Sequence, residues 1–525
     1  MIPMLGNSQV KPASAGSQGG QARQARHGRA IRWHAALAAV RRHWLATGLL
    51  AAGLVLRVLT QLAYRPALFY IDTNRYLYNA EGNDPVGYKG PLRAILLVAN
   101  FDAVAAVQHL LGLAMAIAIY LLLLRRGAAR WLAALAIAPA ALDAYQLQIE
   151  QTIMPDIWFE ALIVAGLAIL LWQPRTGWRR AAAAGIVLGT SVTVAQVGEA
   201  LILPAVIYLL AAGGGWRPAI GKTAVLCAAF ALPILAYSTG SYLLTGDFFL
   251  SHTGVTSTYG RLAAAVDCAT IRLPAAERGM CPTKAQQAKG PDWLEYGQGS
   301  PIRPYYSGLP RAQADRLLSD FNHRVLTQQP SRVLGAYGRD VLKLFALTRD
   351  GRPGDTPISR WQFQTTFPYF TSHATKSFDT TAVDRFGGGA PAVWRPVAAF
   401  LRSYQLDGGY TPGPLLALCT LVGLTGSAAV LRKRADPGTR QLALACLLFF
   451  TSAVSVTLVS DLFEFSWRYQ LPALVTLAPA GALGISVIIG SIRSQRSSCR
   501  KTSGAALPEC RDVLHRDGMQ GEDVA

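Results

Sequence analysis

The stretch Leu142-Asp143-Ala144-Tyr145-Gln146-Leu147-Gln148-Ile149-Glu150-Gln151-Thr152-Ile153-Met154-Pro155-Asp156-Ile157-Trp158-Phe159 decides how this chain is read. It sets three carboxylates, Asp143, Glu150 and Asp156, between two apolar runs long enough to cross a bilayer. Ionisable groups at a membrane boundary are costly unless solvated or paired, so their clustering predicts a polar cavity at the interface. A second acidic segment, Tyr70-Ile71-Asp72-Thr73-Asn74-Arg75-Tyr76-Leu77-Tyr78, follows the first apolar run. The topology read below places both segments on one side of the membrane.

Working outward, 51% of the 525 residues are hydrophobic and 15% are charged, against about 25% charged in soluble domains. Apolar runs of membrane length recur near 44–64, 103–124, 129–146, 157–173, 180–198, 200–214, 219–243, 413–431, 440–460 and 470–490. The expected fold is therefore an all-α polytopic membrane protein with about ten transmembrane helices. The split between the fifth and sixth runs rests on Gly198-Glu199 as a turn, with Pro204 shortly after.

The net charge of +20 does not point to nucleic acid, because no binding motif accompanies it. Its placement follows the positive-inside rule. Basic clusters occur at Arg125-Arg126 with Arg130, at Arg175 with Arg179-Arg180, at Arg217 with Lys222, and at Arg432-Lys433-Arg434. Another begins the C-terminal end at Arg493, Arg496, Arg500 and Lys501, whereas the connections 147–156 and 198–200 carry no Lys or Arg. Both termini are thus expected in the cytoplasm. Residues 1–43 lack the apolar core of a signal peptide and read as a disordered basic arm, with 491–525 as a cytoplasmic tail.

An N-terminal transmembrane module is expected over 44–243, with a first outer loop over 65–102. That loop ends in Leu92-Arg93-Ala94-Ile95-Leu96-Leu97-Val98, too short to span and suited to lying in the interface. Residues 244–412, rich in Gly, Pro, Tyr and Thr, read as a large extracytoplasmic loop domain of mixed structure. Within it, helical periodicity from Ala312 to Phe345 is interrupted at Pro330 and predicts two helices near the membrane surface. The C-terminal transmembrane helices occupy 413–490.

Of seven cysteines, Cys227, Cys419 and Cys446 lie in apolar runs and read as small packing residues. Cys268 and Cys281 share one polar loop, where an oxidising compartment would favour a disulfide. Cys499 and Cys510 fall in the tail expected to be reduced. Gly213-Gly214-Gly215 and Gly387-Gly388-Gly389 lack the strand–helix context of a phosphate loop, and Gly221-Lys222-Thr223 lacks the upstream glycine of a Walker motif. There is no zinc-spaced Cys or His pair and no nucleophile elbow. Any chemistry belongs to the outer face.

Asp72, among Tyr70, Arg75, Tyr76 and Tyr78, could serve as a general base beside aromatic faces that pack on sugar rings and lipid. An interfacial aromatic belt with a local Asp72–Arg75 ion pair accounts for the same residues. Asp156 follows Pro155 at a helix start, where the dipole alone favours a carboxylate. Glu150 has no such account, and Asp143 lies deeper, where it could pair with a neighbouring helix. A third cluster, Asp461, Glu464 and Arg468, sits in Ser460-Asp461-Leu462-Phe463-Glu464-Phe465-Ser466-Trp467-Arg468-Tyr469-Gln470-Leu471-Pro472. Glu464 and Arg468 have i,i+4 spacing, and a guanidinium there is equally suited to a phosphate or pyrophosphate. His252 and Lys89 read as structural.

This organisation resembles the GT-C superfamily of membrane glycosyltransferases, whose branches include protein O-mannosyltransferases, aminoarabinose transferases and arabinosyltransferases. The resemblance covers about 44–490. It rests on the acidic first outer loop with Asp72, the Glu150-to-Asp156 segment, the later large outer loop and Arg468-Tyr469-Gln470-Leu471-Pro472. It is strongest to uncharacterised members from high-GC bacteria, which implies a multi-pass protein of a bacterial plasma membrane. It further implies an inverting hexosyl or pentosyl transfer from a polyprenyl-phosphate-linked sugar. The acceptor would be a cell-envelope glycan, lipid or protein. On this resemblance Asp72 is the base, Glu150 and Asp156 orient the acceptor or a metal, and Arg468 with Arg75 holds the donor phosphate. Tyr70, Tyr76, Tyr78 and Glu464 would contact acceptor or sugar. The first outer loop has no clear Asp-X-Asp, which leaves open whether a divalent metal takes part; Asp84 is a substitute carboxylate there. A transporter or lipid-linked-sugar flippase is the alternative, since buried charge and proline-broken helices also mark transport pathways. A non-catalytic membrane scaffold is a third reading. Against the transporter stand the missing inverted repeat and the large outer loop.

Overall fold

The computed structural model describes residues 38, 40–78, 85–212, 215–251, 254–368, 373–431 and 436–502, without side chains at 373–379 and 494–502. Most of the basic arm, Asp84, His252, the Arg432–Arg434 cluster and Cys510 lie outside the described residues, as does the side chain of Cys499.

Helix α1 (Trp44–Ala63) leads through the two-residue strand β1 (Tyr64–Arg65) to the short α2 (Thr73–Leu77) and α3 (Lys89–Leu96). Then come α4 (Phe101–Arg126), α5 (Arg130–Leu142), α6 (Ala144–Gln151), α7 (Asp156–Leu171) and α8 (Trp178–Val194). A 3-10 turn (Gln196–Leu201) precedes α9 (Ile202–Ala212) and α10 (Trp216–Thr245). The last three helices are α19 (Gly413–Ala428), lengthened by a 3-10 turn (Ala429–Leu431), α20 (Pro437–Asp461) and α21 (Pro472–Thr502), with a 3-10 turn (Trp467–Gln470) before α21.

The apolar runs read from the sequence are helical over most of their described length, but ten full-length spans are not found among the described residues. Among the described residues six helices are long and apolar enough to cross a membrane, or seven if α5 and α6, bent by 49°, form one span. The 16 residues of α7 reach about 24 Å at the α-helical rise, short of a hydrocarbon core of about 30 Å. The third run breaks at Asp143, whose backbone is extended and whose side chain caps α6 by accepting from Tyr145 N at 3.0 Å. The fifth and sixth part at Ala195, three to four residues before the expected turn, and continue through the 3-10 turn.

Among the described residues the stretch 244–412 holds the helices α11 (Gly254–Ala265), α12 (Lys284–Gln287), α13 (Gly290–Tyr296), α14 (Arg303–Gly308), α15 (Arg311–Gln328), α16 (Pro330–Lys343), α17 (His373–Phe386) and α18 (Arg395–Leu406), joined by irregular segments. Its one strand, β2 (Ala392–Val393), pairs antiparallel with β1. The two helices read on either side of Pro330 are α15 and α16, and proline opens the second, where its missing N–H costs nothing. Tyr259, Leu262, Met280, Leu294, Phe321 and Val325 form a separate small core. Cys268 and Cys281 are joined beside it, their Cα atoms 5.8 Å apart.

The transmembrane helices bury one large continuous core. The approach of α19 to α21 depends on small residues: a side chain at Gly426 would strike the backbone of Gly484, and one at Gly484 the carbonyl of Val422. At one end of the bundle, β1, α6 and α18 share a third core of Tyr64, Leu68, Leu147, Phe363 and Leu401. That contact brings the later loop over the first one.

Candidate active site

The first loop is held by its backbone. Leu68 N donates to Gln151 O (3.0 Å), Ile153 N donates to Leu68 O (2.9 Å), and Thr73 Oγ1 donates to Ile153 O (3.0 Å). Asp72 immediately precedes α2, and Asp156 is the first residue of α7. The turn Trp467–Gln470 delivers Arg468 from the other side. Its Nε donates to Asp156 Oδ1 at 2.7 Å and its Nη1 to Asp72 Oδ2 at 3.4 Å. Three of the residues read from separate segments thus meet in one cluster. The side chains of Arg468, Asp156 and Asp72 are 9%, 12% and 22% exposed, enough shielding for these charges to be weakly screened.

Beside this cluster opens a cavity of about 370 Å³, lined by Asp72, Arg75, Tyr76, Glu464 and Arg468 among others. Arg75 lies 3.8 Å from Asp72, so the local pair expected from sequence coexists with the Arg468 contact. Tyr70 also lines the cavity, accepts at its hydroxyl from Arg360 Nη1 at 3.0 Å, and packs on Trp361 with centroids 4.8 Å apart. Burial pushes the Tyr70 hydroxyl up to about 12, so it is a neutral group at neutral pH. The opposite wall, from the large loop, brings Asp292, Glu295, Thr356, Arg360 and Trp361, none of which the sequence had marked. Glu464 accepts from Thr356 Oγ1 at 3.4 Å and is not within ion-pair distance of Arg468, so the expected i,i+4 pair does not form. Burial, reinforced by Asp292 and Glu295, pushes Glu464 up to about 8.

Other expected residues lie elsewhere. Glu150, expected to orient acceptor or metal, is fully buried inside the bundle, 2.7 Å from Arg57 Nη2. Tyr78 is absent from the cavity wall and packs near Phe386 and Arg385. Asp461 is buried and accepts from Gln470 Nε2 at 2.9 Å. Asp143 pairs with Arg349 of the large loop at 2.8 Å, rather than with a neighbouring helix, and accepts from Thr411 N at 2.7 Å. Lys89 begins α3, away from the wall.

Among the described residues no group of three or more His, Cys, Asp or Glu is placed to hold a metal. The two carboxylates that meet, Asp72 and Asp156, share the Arg468 guanidinium.

No known protein family and no curated protein matches the sequence. The chain is similar to solved structures of an oligosaccharyltransferase from the archaeon Archaeoglobus fulgidus. In complex with an inhibitory peptide and a dolichol-phosphate, that structure covers 88% of this chain and 52% of its own length, at 15% identity and a TM-score of 0.40. In the form tethered to an acceptor peptide containing an NVT sequon, the figures are 87%, 51%, 13% and 0.42. In the apo form they are 89%, 52%, 15% and 0.41. The chain spans about half the length of these proteins.

Proposed function

We propose that this protein is a membrane glycosyltransferase of GT-C type that moves a sugar from a polyprenyl-phosphate donor to an acceptor hydroxyl on the extracytoplasmic face. The observation that carries the proposal is Arg468, seated between Asp72 and Asp156 beside a cavity at the end of an apolar helical bundle. An arriving phosphate could take Arg468 over from the carboxylates, because its oxygens match the guanidinium in the same way as theirs do. The apolar helices provide the lateral surface a polyprenyl chain requires. With nucleotide sugars confined to the cytoplasm, a transferase on the outer face needs a lipid-borne donor. Both termini would then be cytoplasmic, in a bacterial plasma membrane.

In the proposed step the acceptor oxygen attacks the anomeric carbon and its proton passes to Asp72. The bond from that carbon to the phosphate oxygen breaks, and the electron pair leaves with the phosphate on the opposite face, giving inversion. Donor phosphate would draw Arg468 toward itself and leave Asp72 Oδ2 free to face the acceptor hydroxyl. Arg468 would then stabilise the charge of the departing phosphate. Arg75 and Asp156 would hold Arg468 and Asp72 in place, and Tyr70, Tyr76 and Glu464 would contact sugar or acceptor. The acceptor, a cell-envelope glycan, lipid or protein, would enter past the large loop. Purified protein incubated with a panel of labelled polyprenyl-phosphate hexoses and pentoses and an envelope extract should release lipid phosphate and label an acceptor. Movement of donor across vesicles without any transfer would replace this reading with that of a flippase.

A further inference from the structure

Inside the bundle, below the cavity, Glu150 is fully buried, with Arg57 2% and His109 5% exposed. Glu150 Oε1 accepts from Arg57 Nη2 at 2.7 Å, and Oε2 lies 2.9 Å from His109 Nδ1. Arg57 also donates to the carbonyls of Ala140 (3.0 Å) and Ala141 (2.8 Å). These belong to the last turn of α5, which the break at Asp143 deprives of intrahelical donors. His109 Nε2 lies 2.8 Å from Gln151 Oε1, while Gln151 Nε2 donates to Tyr64 O at 2.7 Å. That second bond fixes the amide orientation, so His109 Nε2 donates to Gln151 Oε1. From α4, Gln108 Nε2 donates to both Glu150 O and Thr152 O at 2.8 Å, and Gln108 Oε1 accepts from Tyr88 at 2.8 Å.

Gln108 thus holds the backbone of Glu150 and Thr152, Arg57 and His109 hold the side chains of Glu150 and Gln151, and Arg57 ties them to the end of α5. The same short stretch forms the clasp with Leu68 and Thr73 described above. Asp72 is next to Thr73, and Asp156 is three residues past Ile153. We infer that Glu150 is a positioning residue: with Arg57, His109 and Gln108 it locks the 150–153 backbone, and through its clasp to the first loop sets how closely Asp72 and Asp156 approach Arg468. The inference rests on the reading of Asp72 and Arg468 as the reacting site, but its test does not require a donor.

The network specifies how substitutions differ. In Glu150→Gln the amide oxygen can still accept from Arg57 and the amide nitrogen can face His109 Nδ1, so the shape of the network is kept although Arg57 loses its counter-charge. Glu150→Ala breaks the chain. Gly112→Ala removes no polar group but drives a methyl against Glu150 Oε1 and Arg57 Nη2. Hydrogen–deuterium exchange on full-length protein in lipid nanodiscs, followed in peptides over 66–77 and 149–158, reads the clasp. Peptides over 311–343, in the separately packed helices, serve as the reference. Glu150→Ala should raise exchange in the first two by about tenfold or more with the reference unchanged, and Glu150→Gln by several-fold less than Glu150→Ala. If Glu150→Ala cannot be purified folded, Gly112→Ala should show the same local pattern. Unchanged exchange over 66–77, or an equal rise in the reference peptides, in whichever of these two variants folds overturns the inference. Failure to find sugar transfer would overturn the proposed activity and leave this result standing.

Discussion

Removing Arg468 should destabilise the protein more than removing its principal partner, and the two losses should not add. The guanidinium supplies the hydrogen bond to Asp156 Oδ1 at 2.7 Å, while Asp156 Oδ2 is buried with no partner among the described residues. Arg468→Ala therefore leaves a nearly buried carboxylate with neither charge nor donor. Breaking such a pair costs about 3–5 kcal/mol, and the 9–12% exposure of the two side chains places the expectation at the lower end, about 3 kcal/mol. Asp156→Asn keeps the shape and an acceptor oxygen, so its cost should be about 1–2 kcal/mol. In the double variant neither stranded charge remains at this contact, and the sum of the single losses should exceed the measured loss by about 1–3 kcal/mol. Reversible unfolding in mixed micelles, following tryptophan fluorescence, would measure the cycle. Additive losses, or an Arg468→Ala variant as stable as the parent, would refute the claim that Arg468 bridges these carboxylates.

Glu464 predicts a pH dependence. Its carboxyl is held up to about 8, so the folded state binds an extra proton between the ordinary carboxylate range and that value; stability should fall as pH rises through this window and level off above it. Glu464→Gln should flatten the decline in thermal unfolding midpoints between pH 5 and 9, and an unchanged slope would count against it. Replacing Cys268 and Cys281 together with Ser should lower the stability of the helices around Tyr259 and Phe321 by about 2–4 kcal/mol. Limited proteolysis at Arg272 and Arg278, both within the closed loop, should accelerate accordingly.

The order of helices was legible because apolar length and basic flanks are local properties of the chain. Their number as spans was not, since it depends on breaks at Asp143 and Ala195 that shorten or bend runs which look continuous. Asp72, Asp156 and Arg468 could be picked out because each is a charge at the end of an apolar run, where solvation alone does not explain it. The far wall was hidden: Asp292, Arg360 and Trp361 are ordinary residues of a polar loop until tertiary folding seats them against Tyr70. Glu150 is conspicuous in the sequence, and its partner Arg57 is less so. Arg57, in Leu54-Val55-Leu56-Arg57-Val58-Leu59, and Gln108-His109, in the next long run, are polar groups in the middle of apolar helices. Such groups imply partners within the bundle rather than at its surface.

The central claim is that Asp72 takes the acceptor proton in a transfer that begins with phosphate capture by Arg468. Once a donor from the polyprenyl-phosphate panel is accepted, single-turnover transfer should be compared between the parent and Asp72→Asn at saturating donor, with donor binding measured separately. The account predicts a rate lower by about 10²–10⁴-fold with binding within a few-fold of the parent. A near-parental rate in Asp72→Asn would contradict it.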